Sequence, residues 1–257
     1  MARMTLNQLE MQNPSPRVPV AEPSWIRGLL PERMSGAVSS SKLILQALRE
    51  SIVSGRIPEG EQLKQEELSR YFDVSPAPVR EALRQLESEG LVEHRPNRGV
   101  FVTDLTGEEA LGVLLPIRLL LEKYALLRVS IPLDAGLREA LLREIQQMQA
   151  GADRADIAMI NEADARFHEI TVNASGAPHT IQLWHSVLPR IRRQLYNLTP
   201  LHADLHAVPL EHEALLASIE AGDADQLAAV LEEHIIGAAT ALINGAPHPD
   251  QSPLQTI

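Results

Sequence analysis

The sequence has no cysteine among its 257 residues. This absence excludes a disulfide-stabilised scaffold, a thiol nucleophile and any metal site built on thiolate ligands. No apolar run reaches the roughly 18 residues that a membrane-spanning helix requires, and the N-terminus lacks the charge and apolar order of a secretory signal. We therefore expect a cytoplasmic protein with no membrane partner.

Positive charge is also scarce, because 23 Lys and Arg stand against 34 Asp and Glu, a formal net charge of −11. Such a balance is unfavourable for nucleic acid, since DNA affinity depends on neutralising phosphates. The deficit is uneven, however: residues 1–38 carry a net charge of +1, residues 39–104 of −2 and residues 105–257 of −10. Eight of the nine histidines also follow residue 167. This distribution predicts two domains of different chemistry.

The predicted organisation is a flexible leader over 1–37, a first domain over 38–104, a second over 105–245 and a tail over 246–257. The leader contains five prolines and lacks sustained periodicity, which is typical of a flexible segment. A short apolar cluster interrupts it, so docking onto a folded domain is the alternative. The cluster comprises Trp25, Ile26, Leu29 and Leu30.

The first domain begins with apolar residues at helical spacing over 39–56, and a second, short helix is predicted over 65–72. A tight link then leads to Ser75, a candidate N-cap, with Pro76 at the first helical position. Gly90 is a natural stop for this third helix.

Two alternating segments follow, over 91–94 and 100–102, and the turn between them at 96–99 predicts a β-hairpin. Two helices, a tight turn, a third helix and a hairpin form the order of a winged helix-turn-helix. In that fold the helix after the tight turn enters the major groove, and the hairpin tip can reach the minor groove.

Arginines occur where such a domain would meet DNA. Arg80 and Arg84 are four residues apart on the third helix and share one face, while Arg95 and Arg98 lie at the hairpin tip. The alternative for the helix is a solvated face whose arginines pair with neighbouring glutamates.

The same segment resembles the DNA-binding domain of the GntR family of bacterial transcription regulators. The resemblance joins a helix motif, a glycine stop and a wing, over residues 60–69, 74–83, 86–92 and 98–102. Pro76 stands where many members have arginine. On this basis the predicted operator contacts are Lys64, Ser75, Ala77, Arg80, Arg84, Arg95, Arg98 and Gly99.

The second domain reads as six helical segments, over 107–129, 134–151, 156–174, 178–198, 206–221 and 224–244. Only residues 129–131 hint at a strand. An all-helical bundle is the economical interpretation, since the loops are short enough to make neighbouring helices antiparallel. The predicted fold class is therefore mainly α, an N-terminal winged helix-turn-helix followed by a C-terminal all-α bundle.

Four side chains in this domain can point into the bundle: Asp164 and His168, four apart on one helix, then His212 and His234 on two others. Imidazole and carboxylate together suit Zn, Ni, Mn or Fe. Spacing alone leaves the question open, because a helical histidine is usually satisfied by hydrogen bonds.

Residues 164–168, 174–178 and 212–223, with His234, are similar to the FCD effector domain of the FadR branch of the GntR family. The resemblance implies that Asp164, His168, His212 and His234 hold a divalent metal, here Zn, Ni or Mn, which leaves positions for a small carboxylate effector. Six helices are typical of the shorter, VanR-like version. Ala177 replaces an Asn that often precedes the proline. The histidines that match no ligand position are interpreted as surface or loop residues: His179, His185, His202 and His206.

A carboxylate effector needs a cation beside the metal. Arg118 and Arg192 are the chosen candidates, with Arg190 and Arg193 as further ones. Arg192 and Arg193 cannot both face inward, because adjacent helical residues point about 100° apart. The alternative for all of them is a surface salt bridge.

The leading functional hypothesis is a ligand-responsive transcription regulator, a repressor released by a small organic acid, and not an enzyme. As a homodimer it would read an inverted repeat in double-stranded operator DNA. One alternative is a repressor that senses the metal itself. A metal-dependent hydrolase is the other, although a winged helix has no use in such an enzyme.

Overall fold

The computed structural model describes residues 25, 26, 29 and 40–245. The rest of the predicted leader, Leu30 included, and the predicted tail over 246–257 lie outside the described residues. Within this part, the chain is mainly helical and forms a winged helix-turn-helix followed by a helical bundle, as predicted.

The N-terminal domain has three helices and a small antiparallel sheet. The helices are α1 (Ser40–Val53), α2 (Gln65–Tyr71) and α3 (Pro76–Ser88), and the strands are β1 (Gln62–Leu63), β2 (Val92–Arg95) and β3 (Gly99–Val102), in the order β1-β3-β2. The predicted hairpin is β2 and β3, paired from Val92 opposite Val102 to Arg95 opposite Gly99. The sequence did not predict β1, because two residues are too few to show alternation.

Helix α3 forms where the sequence predicts it. Ser75 is the N-cap and Pro76 occupies the first turn, while Gly90 follows the C-cap with a φ of 69°. One face of the helix is buried against α1 and α2, and this leaves the opposite face to solvent. The buried residues are Val79, Ala82, Leu83 and Leu86.

Part of the predicted leader belongs to the core of this domain. Ile26 and Leu29 are each 1% exposed, and the Trp25 indole donates to the Glu61 carboxylate at 2.9 Å. The Tyr71 hydroxyl also donates to the Leu29 carbonyl. The expectation of a flexible leader is therefore wrong for these three residues, because burial of their apolar side chains favours the docked state.

The C-terminal domain follows the six predicted helical segments. Residues 107–126 form one continuous helix, made of α4 (Gly107–Glu109), a π-helical turn (Ala110–Leu114) and α5 (Leu115–Leu126). Then come α6 (Ala135–Asp153), α7 (Ile157–Ala174), α8 (Pro178–Leu198) and α9 (Ala207–Ala221). The last helix combines α10 (Ala224–Glu232), a π-helical turn (Glu233–Gly237) and α11 (Ala238–Gly245).

The hint of a strand at 129–131 is wrong. Helix α5 ends at Leu126, and the next three backbone N–H groups bond back into its last turn, so that Val129 N–H donates to the Leu126 carbonyl at 3.1 Å. These donors are unavailable to a sheet, and the described part of this domain offers no strand to pair with.

The bundle core is continuous and places α7 at its centre. Met148, Ile160, Phe167, Leu215 and Leu231 are fully buried in it. A second, smaller cluster joins α5 to α8, and α8 also packs against α1 of the N-terminal domain. Helix α8 therefore contacts both α5 of its own domain and α1 of the N-terminal domain.

Within residues 40–245, the helix Ala224–Gly245 is long and apolar enough to cross a membrane by length and composition. A helix that is apolar on most sides is also typical of a bundle core. This one buries Leu227, Leu231 and Ile235 in the core shared with α6, α7 and α9.

Candidate metal centre and nucleic-acid interface

The four predicted metal ligands come together inside the bundle. One ligand atom from each of Asp164, His168, His212 and His234 lies within 4.8 Å of all the others. His168 Nε2 is 3.1 Å from His234 Nε2 and 3.2 Å from His212 Nε2, and an Asp164 oxygen is 3.5 Å from His212 Nε2. Two nitrogens bound to one zinc at its usual bond length would lie about 2.9 Å apart at an N–Zn–N angle of about 90° and about 3.4 Å apart at the tetrahedral angle.

Local sequence explains why these side chains face inward. On α7 the apolar residues Ile160, Ala163 and Phe167 are buried, and helical spacing carries Asp164 and His168 onto the adjoining inward face. On the last helix, His234 lies within the π-helical turn, next to the buried Ile235. The wider turn lets both residues face the bundle, a use of π-helical turns that is frequent at functional sites.

Each imidazole is oriented by an acceptor on its outer nitrogen. His168 Nδ1 donates to the Glu122 carboxylate at 2.6 Å, His212 Nδ1 to the Val208 carbonyl at 2.8 Å, and His234 Nδ1 to the Glu211 carboxylate at 3.2 Å. Carboxylates and carbonyls only accept, so we assign the proton to Nδ1 in each ring. The three Nε2 lone pairs then face one another, which is unfavourable without a cation between them.

The protonation states suit metal ligation. Burial lowers the pKa of His212 to about 3 and also lowers the pKa of His168, so both rings are neutral at pH 7. Burial opposes ionisation of Glu122, but His168 and Arg118 hold its pKa at about 2. Neutral imidazoles and ionised carboxylates are the forms that bind divalent metals.

One buried oxygen also lacks a partner. Asp164 Oδ1 has no hydrogen bond within the described residues. An unpaired buried carboxylate oxygen is costly, and a cation would satisfy it. The residues present therefore fit a divalent metal bound by nitrogen and oxygen, such as Zn, Ni or Mn.

A cavity of about 50 Å³ adjoins the cluster. Its polar lining includes Arg118, Asp164, Gln194, His202 and His234, and the rest is mostly apolar. Of the four histidines predicted to lie on the surface or in loops, His202 is a loop residue that lines this cavity.

Arg118, predicted to be an effector-binding cation, lines this cavity. It is 4% exposed, and its Nε donates to Glu122 at 2.7 Å. Its Nη2 lies 3.9 Å from Asp164 and has no hydrogen bond within the described residues. A buried guanidinium with a spare donor beside a cavity is suited to a carboxylate.

Arg192 is not among the residues that line the cavity, so its effector role stays a prediction that this geometry does not support. It forms an ion pair with Glu162, because its position on α8 turns it away from the cavity face that carries Ile191 and Gln194. This is the surface salt bridge named above as the alternative.

The neighbouring arginines of α8 face the N-terminal domain. Arg193 is buried, pairs with Glu59 at 2.8 Å and donates to the carbonyl of Ile52 at the end of α1. The Arg190 guanidinium lies against Gly90, where a Cβ would come within 2.2 Å of it. No local sequence pattern indicates this contact between the domains.

The sequence does not identify two carboxylates that contact the predicted ligands, Glu122 and Glu211. Glu122 lies four residues after Arg118, a spacing that favours a helical ion pair. The spacing was visible, but neither the burial of the pair nor the contact of Glu122 with His168 follows from it.

The predicted DNA-contacting residues of the helical part are all exposed. Arg80 and Arg84 project from the solvent face of α3, and neither forms an ion pair within the described residues, so the glutamate-paired alternative is not observed. Ser75 and Ala77 are exposed at the start of α3, and the Ser75 side chain makes no capping bond. Lys64 is exposed before α2 and pairs with Glu67 at 2.9 Å.

Both wing arginines lie over the Phe101 ring but differ in exposure. Arg95 is half-buried, lies 4.5 Å from the ring centre and pairs with Glu93, whereas Arg98 is exposed at the tip and lies 5.7 Å from the ring centre. Gly99 has a φ of 103°, and a Cβ there would lie 3.0 Å from the Gln62 amide that holds the Arg98 carbonyl. The tip therefore requires glycine.

Comparison with known families matches the N-terminal and the C-terminal part of the chain to two different families. Residues 41–102 match the family described as bacterial regulatory proteins, gntR family, and residues 113–237 match the FCD domain. Similar proteins include BphR of Paraburkholderia xenovorans, an HTH-type transcriptional regulator, at 30% identity over 74% of this chain and 80% of that one. A gluconate operon transcriptional repressor of Bacillus licheniformis is 25% identical over 80% of this chain and 86% of the relative.

Solved structures share the fold. A transcriptional regulator GntR from Rhodococcus sp. RHA1 has a TM-score of 0.69 at 20% identity, covering 82% of this chain and 100% of that one. E. coli McbR/YncC has a TM-score of 0.64 at 19% identity, covering 81% and 99%.

Proposed function

The chain belongs to the GntR family of bacterial regulatory proteins and carries an FCD domain, and from this premise we propose a repressor whose operator affinity is set by a small organic acid. It is a transcription regulator and not an enzyme, so the hydrolase alternative is set aside. The observation that carries the proposal is that one chain combines an exposed arginine face on α3 with a buried Asp and His cluster in the second domain.

DNA reading falls to α3 and the wing. Arg80 and Arg84 enter the major groove, and Ser75, Ala77 and Lys64 meet the phosphates near the start of α3. Arg98, with Gly99, reaches the minor groove, while Arg95 supports the wing through Phe101. A homodimer in the cytoplasm presents two such helices to an inverted repeat.

Asp164, His168, His212 and His234 would hold the divalent metal. When bound, the metal supplies a positive centre that accepts an effector carboxylate. Glu122 and Glu211 keep the imidazoles in the ligating tautomer, and the Val208 carbonyl does so for His212.

Arg118 provides the second contact for the acid. Its Nε is held by Glu122, which fixes the guanidinium beside the cavity before any ligand arrives, and its Nη2 has no hydrogen bond within the described residues. A preorganised donor loses little conformational freedom on binding. The cavity volume of about 50 Å³ favours a small acid.

Helix α8 is the proposed route from effector to DNA. Ile191, Gln194 and Leu198 line the cavity, while Arg190 and Arg193 on the same helix contact the N-terminal domain. A shift of α8 caused by the acid therefore moves the surface on which the DNA-binding domain rests.

The small cavity also favours a second candidate, a repressor that responds to the metal alone. A cavity of about 50 Å³ has room for only a few groups the size of a water molecule. Operator binding that changes with Zn²⁺ in the absence of any acid would support this candidate over the first.

The deciding experiment starts from a pool of randomised DNA duplexes. We expect the metal-loaded protein to select an inverted repeat, and a small acid such as acetate or lactate to weaken binding to it. His212→Ala should keep operator affinity but lose bound metal and the acid response. Unchanged metal content and acid response in that variant would contradict the site, and failure to enrich any duplex would contradict the DNA-binding proposal.

A further inference from the structure

A second cavity, of about 450 Å³, lies between α9 and the last helix. We call it the outer cavity, and we call the one of about 50 Å³ beside Arg118 the inner cavity. The polar side chains that line the outer cavity are Glu211, Glu233 and His234. The rest of its lining is small and apolar, and consists of Ala214, Ala229, Val230 and Ala238. A proposed metal ligand, His234, therefore borders this larger space as well.

The two cavities share a wall. Glu211, His234 and Ala238 line both of them. Within this wall His234 Nδ1 donates to the Glu211 carboxylate at 3.2 Å, which is near the long limit for a hydrogen bond. The Glu211 side chain is 35% exposed, so it can turn toward solvent without leaving a buried position. The Glu211–His234 pair can therefore open and close like a gate between the cavities.

The other three proposed ligands are shielded from solvent. Asp164, His168 and His212 are each at most 5% exposed, so a divalent ion can reach them only through an opening between helices. A water molecule needs about 10 to 15 Å³ of such space, so the inner cavity holds only a few waters and the outer cavity about thirty or more. Small divalent ions give up their bound waters reluctantly. The outer cavity is large enough for a hydrated ion, whereas the inner cavity is not.

The charge of the outer cavity also favours a cation. Its ionisable lining is two glutamates and one histidine, and no lysine or arginine of the described residues lines it. Carboxylates set among apolar walls focus their field, which raises the rate at which a counter-ion arrives by about 10- to 1000-fold. Glu233 is placed here because Gly237, on the same π-helical turn, leaves room for its carboxylate.

We propose that the outer cavity is the entry route for the divalent metal. Glu233 attracts the ion, and the Glu211–His234 pair opens to admit it and then closes. Arg118 lines the inner cavity and not the outer one, so metal and acid approach the site from different sides. This inference rests on the proposed function, since it assigns a path to the metal site proposed there.

Stopped-flow mixing of the metal-free full chain with Zn²⁺, followed with a chromogenic zinc indicator, tests the route. Ala214→Phe fills the outer cavity without replacing a ligand, and we expect the association and dissociation rate constants to fall severalfold by the same factor. The dissociation constant should stay unchanged, because an obstructed path raises the barrier equally in both directions. A distorted site would change the dissociation constant instead.

Ala217→Phe is the matched control for the obstruction. Ala217 is exposed on α9 one turn after Ala214 and does not line the outer cavity, so this variant should bind and release Zn²⁺ like the parent chain. Circular dichroism checks that both variants fold. An Ala214→Phe variant with the rate constants of the parent chain overturns the route.

Glu233→Gln tests the attraction. We expect the association rate constant to fall about tenfold or more at low ionic strength. The difference from the parent chain should shrink at about 1 M salt, where charges are screened beyond about 3 Å. Glu232→Gln is the matched control, because Glu232 is an exposed neighbour that does not line the cavity. Equal slowing in both variants overturns the role of Glu233.

Failure of the route and failure of the proposed metal site are distinguishable. If the route is wrong but the site holds, Ala214→Phe keeps the rate constants of the parent chain while His212→Ala still loses bound Zn²⁺. If the site is wrong, His212→Ala binds Zn²⁺ as the parent chain does, whatever the rates of the cavity variants.

Discussion

Arg118 and Glu122 lie one helical turn apart on α5 and form a fully buried ion pair, with 2.7 Å between Nε and Oε1. The other oxygen of Glu122 accepts from His168 Nδ1 at 2.6 Å. One carboxylate thus orients both the cation proposed to bind the effector and a ligand proposed to bind the metal.

Removing the charge of Glu122 should weaken metal binding. In Glu122→Gln one of the two accepting oxygens is replaced by an NH2 donor, so Arg118 and His168 compete for the single acceptor that remains. Weakening such a partner of a ligating histidine typically costs about 10- to 100-fold in metal affinity. Titration calorimetry with Zn²⁺ measures the change. Glu169→Gln is the control, because Glu169 follows a ligand in sequence but pairs outward with His185.

Arg118 should govern acid binding rather than metal binding. Arg118→Lys keeps a charge beside Glu122 but loses the planar donor set, so acid affinity should fall by about tenfold or more. Arg192→Lys should bind acid like the parent chain, since Arg192 pairs with Glu162 away from the cavity. Equal losses in both variants would contradict the assignment of Arg118.

Arg80→Ala should remove specific operator binding. A base-contacting arginine contributes about 1 to 3 kcal/mol, so affinity for the selected duplex should fall about 10- to 100-fold, with little change on unrelated DNA. Fluorescence anisotropy measures both duplexes side by side. Arg143→Ala on α6, an equally exposed arginine of the other domain, should leave both affinities unchanged.

Loss of Arg193 should uncouple the domains. Arg193→Ala leaves the Ile52 carbonyl and Glu59 without their partner. Glu59 is about a third exposed and can be hydrated, so the main cost is the unsatisfied carbonyl, about 1 to 3 kcal/mol. We expect two calorimetric transitions where the parent shows one, and acid that still binds but no longer alters operator affinity. A single transition with a full acid response would show that α8 is not the route.

The docked part of the leader should contribute to stability. A chain that lacks residues 1–30 should have a lower midpoint of thermal unfolding than a chain that lacks residues 1–24. Removal of 1–30 also deletes Ile26 and Leu29, whose burial is worth about 1.5 to 3 kcal/mol each. Equal stability of the two truncated chains would contradict this role.

Features with local signals were predictable from sequence. The Ser75-Pro76 start and the Gly90 stop define α3, and the spacing of Asp164 and His168 gives them one helical face. Tertiary relationships were not predictable in this way. Arg190, Arg192 and Arg193 are nearly identical in sequence terms, yet one lies on Gly90, one on Glu162 and one on Glu59. Which neighbour an arginine meets depends on how α8 is rotated in the bundle, and no local pattern encodes that rotation.

Helix α5 carries Arg118, the cation proposed to bind the acid, on one face and exposed apolar side chains such as Leu120 and Tyr124 on the other. Reciprocity follows from this arrangement: if acid changes the association constant of two chains by some factor, association changes acid affinity by that same factor. A change in chain concentration would then have part of the same effect on operator binding as a change in acid concentration. The response curve measured at one protein level would shift along the acid axis at another.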